Sequence, residues 1–157
     1  MPAESSAATQ PENRTLVISR IFDAPRELVF KAWTEPERAM QWWGPRGFTV
    51  TSYKMDVRPG GSYYVCSRSP EGTNHRLQGV YREIVEPERF VSTYVWADQD
   101  GNPTRPETIL TVTLEDLGGK TRLNLHQAVF ESVTARELHQ GGWTSSLDCL
   151  AEYLERA

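Results

Sequence analysis

The apolar positions of this chain follow two periods, and the points where one gives way to the other mark its elements. From Arg14 to Phe22 the run RTLVISRIF alternates and is rich in β-branched residues, which predicts a strand. Asp23-Ala24-Pro25 then offers a capping carboxylate and a proline suited to a first helical turn, after which Leu28, Val29, Ala32 and Trp33 share one helical stripe. Thr34-Glu35-Pro36-Glu37 repeats such a start. It predicts a second short helix that carries Met40, Trp42 and Trp43 until Gly44-Pro45 ends it.

Period-two segments follow, separated by turn signals about ten residues apart. They predict strands at Phe48 to Val57, Ser62 to Ser69, His75 to Val85, Phe90 to Trp96, Thr108 to Glu115 and Thr121 to Phe130. A last change of period comes at Thr134-Ala135-Arg136-Glu137, which has the form of a capping box. From there His139, Trp143, Leu147, Leu150 and Leu154 recur at helical spacings, predicting one long terminal helix. The class is therefore α+β: a curved antiparallel sheet of about seven strands, two short helices and a long C-terminal helix laid over one sheet face.

Parity assigns the faces, since charged residues prefer water. It turns Tyr63, Val65 and Ser67 inward, away from Tyr64, Cys66 and Arg68, and turns Leu123, Leu125 and Gln127 inward, away from Arg122, Asn124 and His126. Leu110, Val112 and Leu114 point in as well. For Phe90 to Trp96 charge does not decide, and size selects Phe90, Ser92, Tyr94 and Trp96. The resulting interior mixes large rings with polar tips: Tyr63, Ser67, Tyr81, Ser92, Tyr94, Gln127 and, from the helix, Arg136 and His139. A buried polar group without a partner costs about 1–3 kcal/mol, so these groups need one another, water or a ligand. A cavity between sheet and helix meets that need. Gly141-Gly142 inside the helix suits a close approach or bend there.

In the stretch QWWGPRGF, adjacent helical residues diverge by roughly 100°, so Trp42 and Trp43 cannot face the same way. Packing alone suffices to explain both. The functional reading places Trp43 and Phe48 at the cavity mouth, with the loop between them as a lid.

Composition narrows the partners. The 157 residues suit one domain over 14–157, preceded by a small, polar tail over 1–13 that is expected to be disordered. A net charge of −4 gives no basic footprint for nucleic acid or anionic lipid, and no apolar run approaches the roughly 20 residues of a membrane span. Cys66 and Cys149 belong to no CxxC pair and read as reduced thiols of a soluble cytoplasmic protein. Three scattered histidines form no metal motif. Gly60-Gly61 and Gly118-Gly119 lie between strands and open no phosphate-binding helix. Neither a metal nor another cofactor is expected.

The element order, together with FDAPRELVF (Phe22–Phe30), WGPRGF (Trp43–Phe48), RPGG (Arg58–Gly61), EIVEPER (Glu83–Arg89) and Gly142-Trp143, resembles bacterial proteins similar to the C-terminal domain of the activator of heat shock protein 90 ATPase. These belong to the START/Bet v 1-like (SRPBCC) superfamily, which includes polyketide cyclases. The resemblance covers about residues 14 to 156. It implies a helix-grip fold with a hydrophobic ligand cavity between sheet and terminal helix. The co-chaperone that names the family has a further N-terminal domain for which this chain has no room, which argues against direct chaperone binding.

Three functional expectations follow. The first is a carrier of a small hydrophobic or aromatic molecule, bound by Trp43, Phe48, Tyr63, Ser67, Tyr81, Tyr94, Trp96, Gln127, Arg136, His139 and Trp143. The second is a cyclase-type enzyme using the same cavity, with His139 or a tyrosine moving a proton. The third is a co-chaperone-like interaction module. A homodimer is compatible with all three.

Overall fold

A computed structural model describes residues 11–157. Most of the expected tail, residues 1–10, lies outside the described residues, and Pro11–Arg14 form a single 3-10 turn. The strands are β1 (Leu16–Phe22), β2 (Thr49–Met55), β3 (Ser62–Arg68), β4 (Asn74–Val85), β5 (Arg89–Ala97), β6 (Thr108–Asp116) and β7 (Thr121–Ala128). The helices are α1 (Arg26–Thr34), α2 (Pro36–Ala39) and α3 (Val133–Arg156).

All seven strands share one antiparallel sheet in the order β1-β7-β6-β5-β4-β3-β2. The first strand pairs with the last, Leu16 opposite Gln127 and Phe22 opposite Thr121. Helices α1 and α2 then carry the chain to the far edge, from which β2 to β7 return one strand at a time. Helix α3 closes the concave face and completes a helix-grip fold. Leu147, Leu150 and Leu154 of α3 pack with Leu110, Val112, Leu123 and Leu125 in one core. Full burial of such a side chain stabilises by roughly 1.5–3 kcal/mol.

The predicted faces are the observed ones. In β3 the residues Tyr63, Val65 and Ser67 are buried, and in β7 Leu123, Leu125 and Gln127 are. In β5 the size argument holds for the core side, to which Phe90, Tyr94 and Trp96 contribute, while Thr93 and Val95 of the other set are buried as well. Cys66 is buried on the outward parity, opposite Arg76, as a small filler beneath a longer side chain.

Element starts differ from the expectation in instructive ways. Asp23 does not cap α1; the N-cap is Pro25, whose carbonyl accepts from Leu28 and Val29. Thr34 does not cap α2, because its hydroxyl donates back to the Phe30 carbonyl at 2.8 Å. Helix α2 is a single turn and does not carry Trp42 or Trp43. Gln41 and Trp42 bond three residues back, to Arg38 and Ala39, and this tighter winding unwinds the helix before the tryptophans. Helix α3 is capped by Ser132, not Thr134: the Ser132 hydroxyl accepts from the Ala135 amide at 3.0 Å.

Candidate functional site: a cavity under the terminal helix

Between β3–β5 and the first half of α3 lies an open cavity of about 640 Å³. Its floor comes from the inner face of the sheet, through Val65, Ser67, His75, Leu77, Tyr94 and Trp96. Its roof is α3, from Leu138 to Ser146, and its rim is the α2–β2 loop, from Trp42 to Phe48.

That loop is held by contacts at both sides. Pro45 rests beside Gly142, the Arg46 amide donates to Ser145 Oγ at 2.9 Å, and the Arg46 guanidinium pairs with Glu152. On the other side, Gly47 abuts Pro70, and the Phe48 ring lies 5.7 Å from that of His75. Gly47 has φ +91°, where a side chain is strained, and a Cβ there would meet the Pro70 ring at 2.9 Å. Trp42 and Trp43 diverge as their adjacency requires. Trp42 is 3% exposed and anchored by its indole N–H to the Ala32 carbonyl at 2.9 Å, whereas half-buried Trp43 borders the cavity mouth.

Behind the wall, Trp33 packs against Trp42, Phe90 and Trp143 with ring centroids 4.8, 5.5 and 5.7 Å apart. Among the described residues the buried Trp33 indole N–H has no hydrogen-bond partner, whereas the polar tips of Trp143, Gln127, Thr108 and Tyr63 are satisfied internally. The Trp143 indole N–H donates to Gln127 Oε1 at 2.8 Å, Gln127 Nε2 donates to Thr108 Oγ1 at 2.8 Å, and that hydroxyl donates to the Tyr94 carbonyl at 3.3 Å. Tyr63 donates to the Thr93 carbonyl at 2.8 Å. Burial raises the pKa of Tyr63, Tyr81 and Tyr94, so all three phenols stay protonated at neutral pH.

His139 is enclosed by Phe130, Tyr94 and Trp96. Its Nδ1 lies 2.7 Å from the Ala135 carbonyl, which can only accept, and its Nε2 lies 2.8 Å from the Trp96 indole N–H, which can only donate. These partners fix the neutral tautomer with the proton on Nδ1. Burial holds its pKa below the ordinary imidazole value of 6.5, with the Arg105 charge acting in the same direction.

Charge is sparse around the cavity. Two arginines border it: the Arg105 guanidinium pairs with Glu131 at 2.9 Å, and that of Arg76 lies 4.3 Å over the Tyr64 ring and donates to Gln78 Oε1 at 2.9 Å. Among the described residues, no group of three or more His, Cys, Asp or Glu side chains is placed to hold a metal ion.

Residues 23–155 match the family model for Activator of Hsp90 ATPase homolog 1-like proteins. This chain belongs to that family. Solved structures support the assignment over nearly their full lengths. A Chromobacterium violaceum protein is 30% identical, with 90% of this chain and 97% of that one covered at a TM-score of 0.78. The AHSA1 protein from Silicibacter pomeroyi is 26% identical, with 90% and 97% covered at 0.80. An Arthrobacter aurescens protein is 25% identical, with 93% and 88% covered at 0.81. No functionally curated protein matches the chain.

In this family member the cavity brings together Trp43, Phe48, Ser67, Tyr94, Trp96, His139 and Trp143 of the expected site residues. Tyr63, Tyr81, Gln127 and Arg136 are not part of its lining. The two tyrosines face each other at 5.2 Å inside the core, Gln127 is committed to Trp143 and Thr108, and the nearest acid to the Arg136 guanidinium is Glu137 at 3.6 Å. The cavity also takes in His75 and Ser146, which sequence reasoning passed over. Both carried a signal. His75 shares parity with buried Leu77 and Tyr81, and Ser146 lies seven residues, two helical turns, beyond His139. Arg105 comes from a loop, where no periodicity operates.

Neither helix glycine answers to a close approach. A Cβ at Gly142 would make ordinary contact with Pro45 at 3.9 Å, and one at Gly141 would meet nothing within 4 Å.

Proposed function

We propose that this protein binds and carries a small hydrophobic molecule bearing an aromatic ring, seated between β3–β5 and α3. The observation that carries the reading is the cavity of about 640 Å³ walled by indole, phenol and phenyl rings. Sites for small organic ligands span roughly 300–1,000 Å³ with mostly apolar linings and a few polar groups. Leu138, 72% exposed on the α3 rim, extends the apolar surface out to the mouth.

Binding is favoured over turnover because, of the expected proton carriers of a cyclase-type reaction, His139 has both ring nitrogens committed to Ala135 and Trp96, and burial raises the pKa of Tyr94, the cavity tyrosine, and holds its proton. The partner in this reading is a small molecule. Nucleic acid, membrane insertion and direct chaperone contact play no part in it, and it holds for a monomer or a homodimer. We place the protein in the cytoplasm, where the free thiols of Cys66 and Cys149 suit a reducing compartment. No described helix is long and apolar enough to cross a membrane.

Titration of the isotope-labelled protein with an uncharged naphthalene derivative, followed by NMR, tests the proposal. Saturable one-to-one binding is expected, with shifts confined to the lining residues and lost in the cavity-filling Gly142→Leu variant. Absence of saturable shifts, or shifts confined to the outer sheet face, would overturn it.

A further inference from the structure

The inner wall of the cavity carries a polar pair that the fold itself does not use. His75 on β4 and Ser67 on β3 are direct cross-strand partners, and both line the cavity. The His75 ring sits between two aromatics, 5.7 Å from Phe48 and 6.2 Å from Trp96. Among the described residues neither the His75 imidazole nor the Ser67 hydroxyl forms a hydrogen bond within the protein. His139, on the roof, is the opposite case, with both nitrogens engaged.

These contrasts select a ligand chemistry. An uncharged imidazole offers one donor and one acceptor, as does a serine hydroxyl, and a ligand hydroxyl complements both. A carboxylate only accepts. It would give up its hydration in a mostly apolar chamber whose two bordering guanidiniums are already engaged, Arg105 with Glu131 and Arg76 with Gln78 and the Tyr64 ring, so its desolvation would be poorly compensated. The flanking rings of Phe48 and Trp96 suit a flat ring system.

Building on the carrier reading, we infer that His75, with Ser67 opposite, is the hydrogen-bonding anchor of the cavity, and that the ligand is an uncharged planar aromatic alcohol of phenol or naphthol type.

The test uses three probes sharing one ring system, naphthalene, 2-naphthol and 2-naphthoate, titrated by NMR into the full chain at pH 8, where an ordinary imidazole is uncharged. One neutral hydrogen bond predicts that 2-naphthol binds about fivefold tighter than naphthalene, and 2-naphthoate more weakly than either. His75→Phe keeps a ring between Phe48 and Trp96 but removes the nitrogens; it should erase the naphthol advantage, so that 2-naphthol and naphthalene bind this variant equally. His75→Gln, which restores a donor and an acceptor, should recover part of it. In the unsubstituted protein, 2-naphthol should shift the His75 ring nitrogens, a readout that needs no variant.

Retention of the naphthol advantage in His75→Phe, unmoved His75 nitrogens, or tightest binding by 2-naphthoate would each overturn the inference. Naphthalene binding without any naphthol advantage would overturn this anchor and leave the carrier reading standing. Failure of all three probes to bind would overturn both.

Discussion

The indole N–H of Trp96 donates to Nε2 of His139 across 2.8 Å, tying the inner face of β5 to the roof of the cavity. Protonating that nitrogen would set two donors against each other. Burial of the ring keeps the folded-state pKa of His139 below 6.5, with the Arg105 charge acting in the same direction. In the unfolded chain the ring protonates near that ordinary value. Between the two pKa values the unfolded state therefore binds more protons, so stability falls as pH drops through this window and is constant in this respect above it. Urea denaturation from pH 5 to 8 should show the fall, and His139→Gln should flatten it. NMR of the ring nitrogens at pH 7 should find the proton on Nδ1; a proton on Nε2 would contradict the assignment.

Gln127 is fully buried and bridges Trp143 to Thr108. Gln127→Leu has a comparable volume but strands the Trp143 indole N–H in the core. It should lower stability by about 2 kcal/mol in denaturant titrations. Its near-ultraviolet circular dichroism should change as the indole loses its fixed partner.

Gly79 is required by space. A Cβ there would fall 2.1 Å from the Thr93 carbonyl oxygen and 2.8 Å from the Tyr63 ring. The ladder is irregular at this point, since the Val80 amide donates to Thr93 Oγ1 while the Thr93 carbonyl accepts from Tyr63. Gly79→Ala should cost about 3 kcal/mol, as overpacked interiors do. Tyr63→Phe, which removes only the hydroxyl, should cost about 1 kcal/mol. Thermal denaturation of the two variants gives the order; equal effects would refute the steric argument.

Gly141 is the converse case. It lies in α3, exposed, with open space where a side chain would stand. Gly141→Ala should stabilise by roughly 0.8–1.0 kcal/mol through helix propensity alone and leave the affinity for cavity probes unchanged. A loss of stability would show that the glycine has a structural role these contacts do not reveal.

Much of this architecture could be read from residue order. Alternation in Leu110, Val112 and Leu114 and in Leu123 and Leu125 named the buried face of the sheet, and the spacing of Trp143, Leu147, Leu150 and Leu154 named the buried stripe of α3. These patterns are legible because burial acts on each residue separately and recurs with a fixed period. Helix starts were less legible: Ser132 and Thr134 both offer a hydroxyl, and only the backbone path decides which one meets a free amide.

The division of the polar interior into sealed and cavity-facing groups was the work of tertiary contact. Sequence placed Tyr63, Gln127, Ser67 and His139 together as polar tips among rings, without separating the first two, sealed in the packed core, from the others, which border open space. That separation depends on where α3 stands off the sheet. The helix packs on β6 and β7 through its leucines, and the tryptophan-bearing loop meets it at Gly142, Ser145 and Glu152, beside the cavity over β3–β5. A periodic pattern specifies which way a side chain points; the distance to whatever it faces is set by elements far away in the chain.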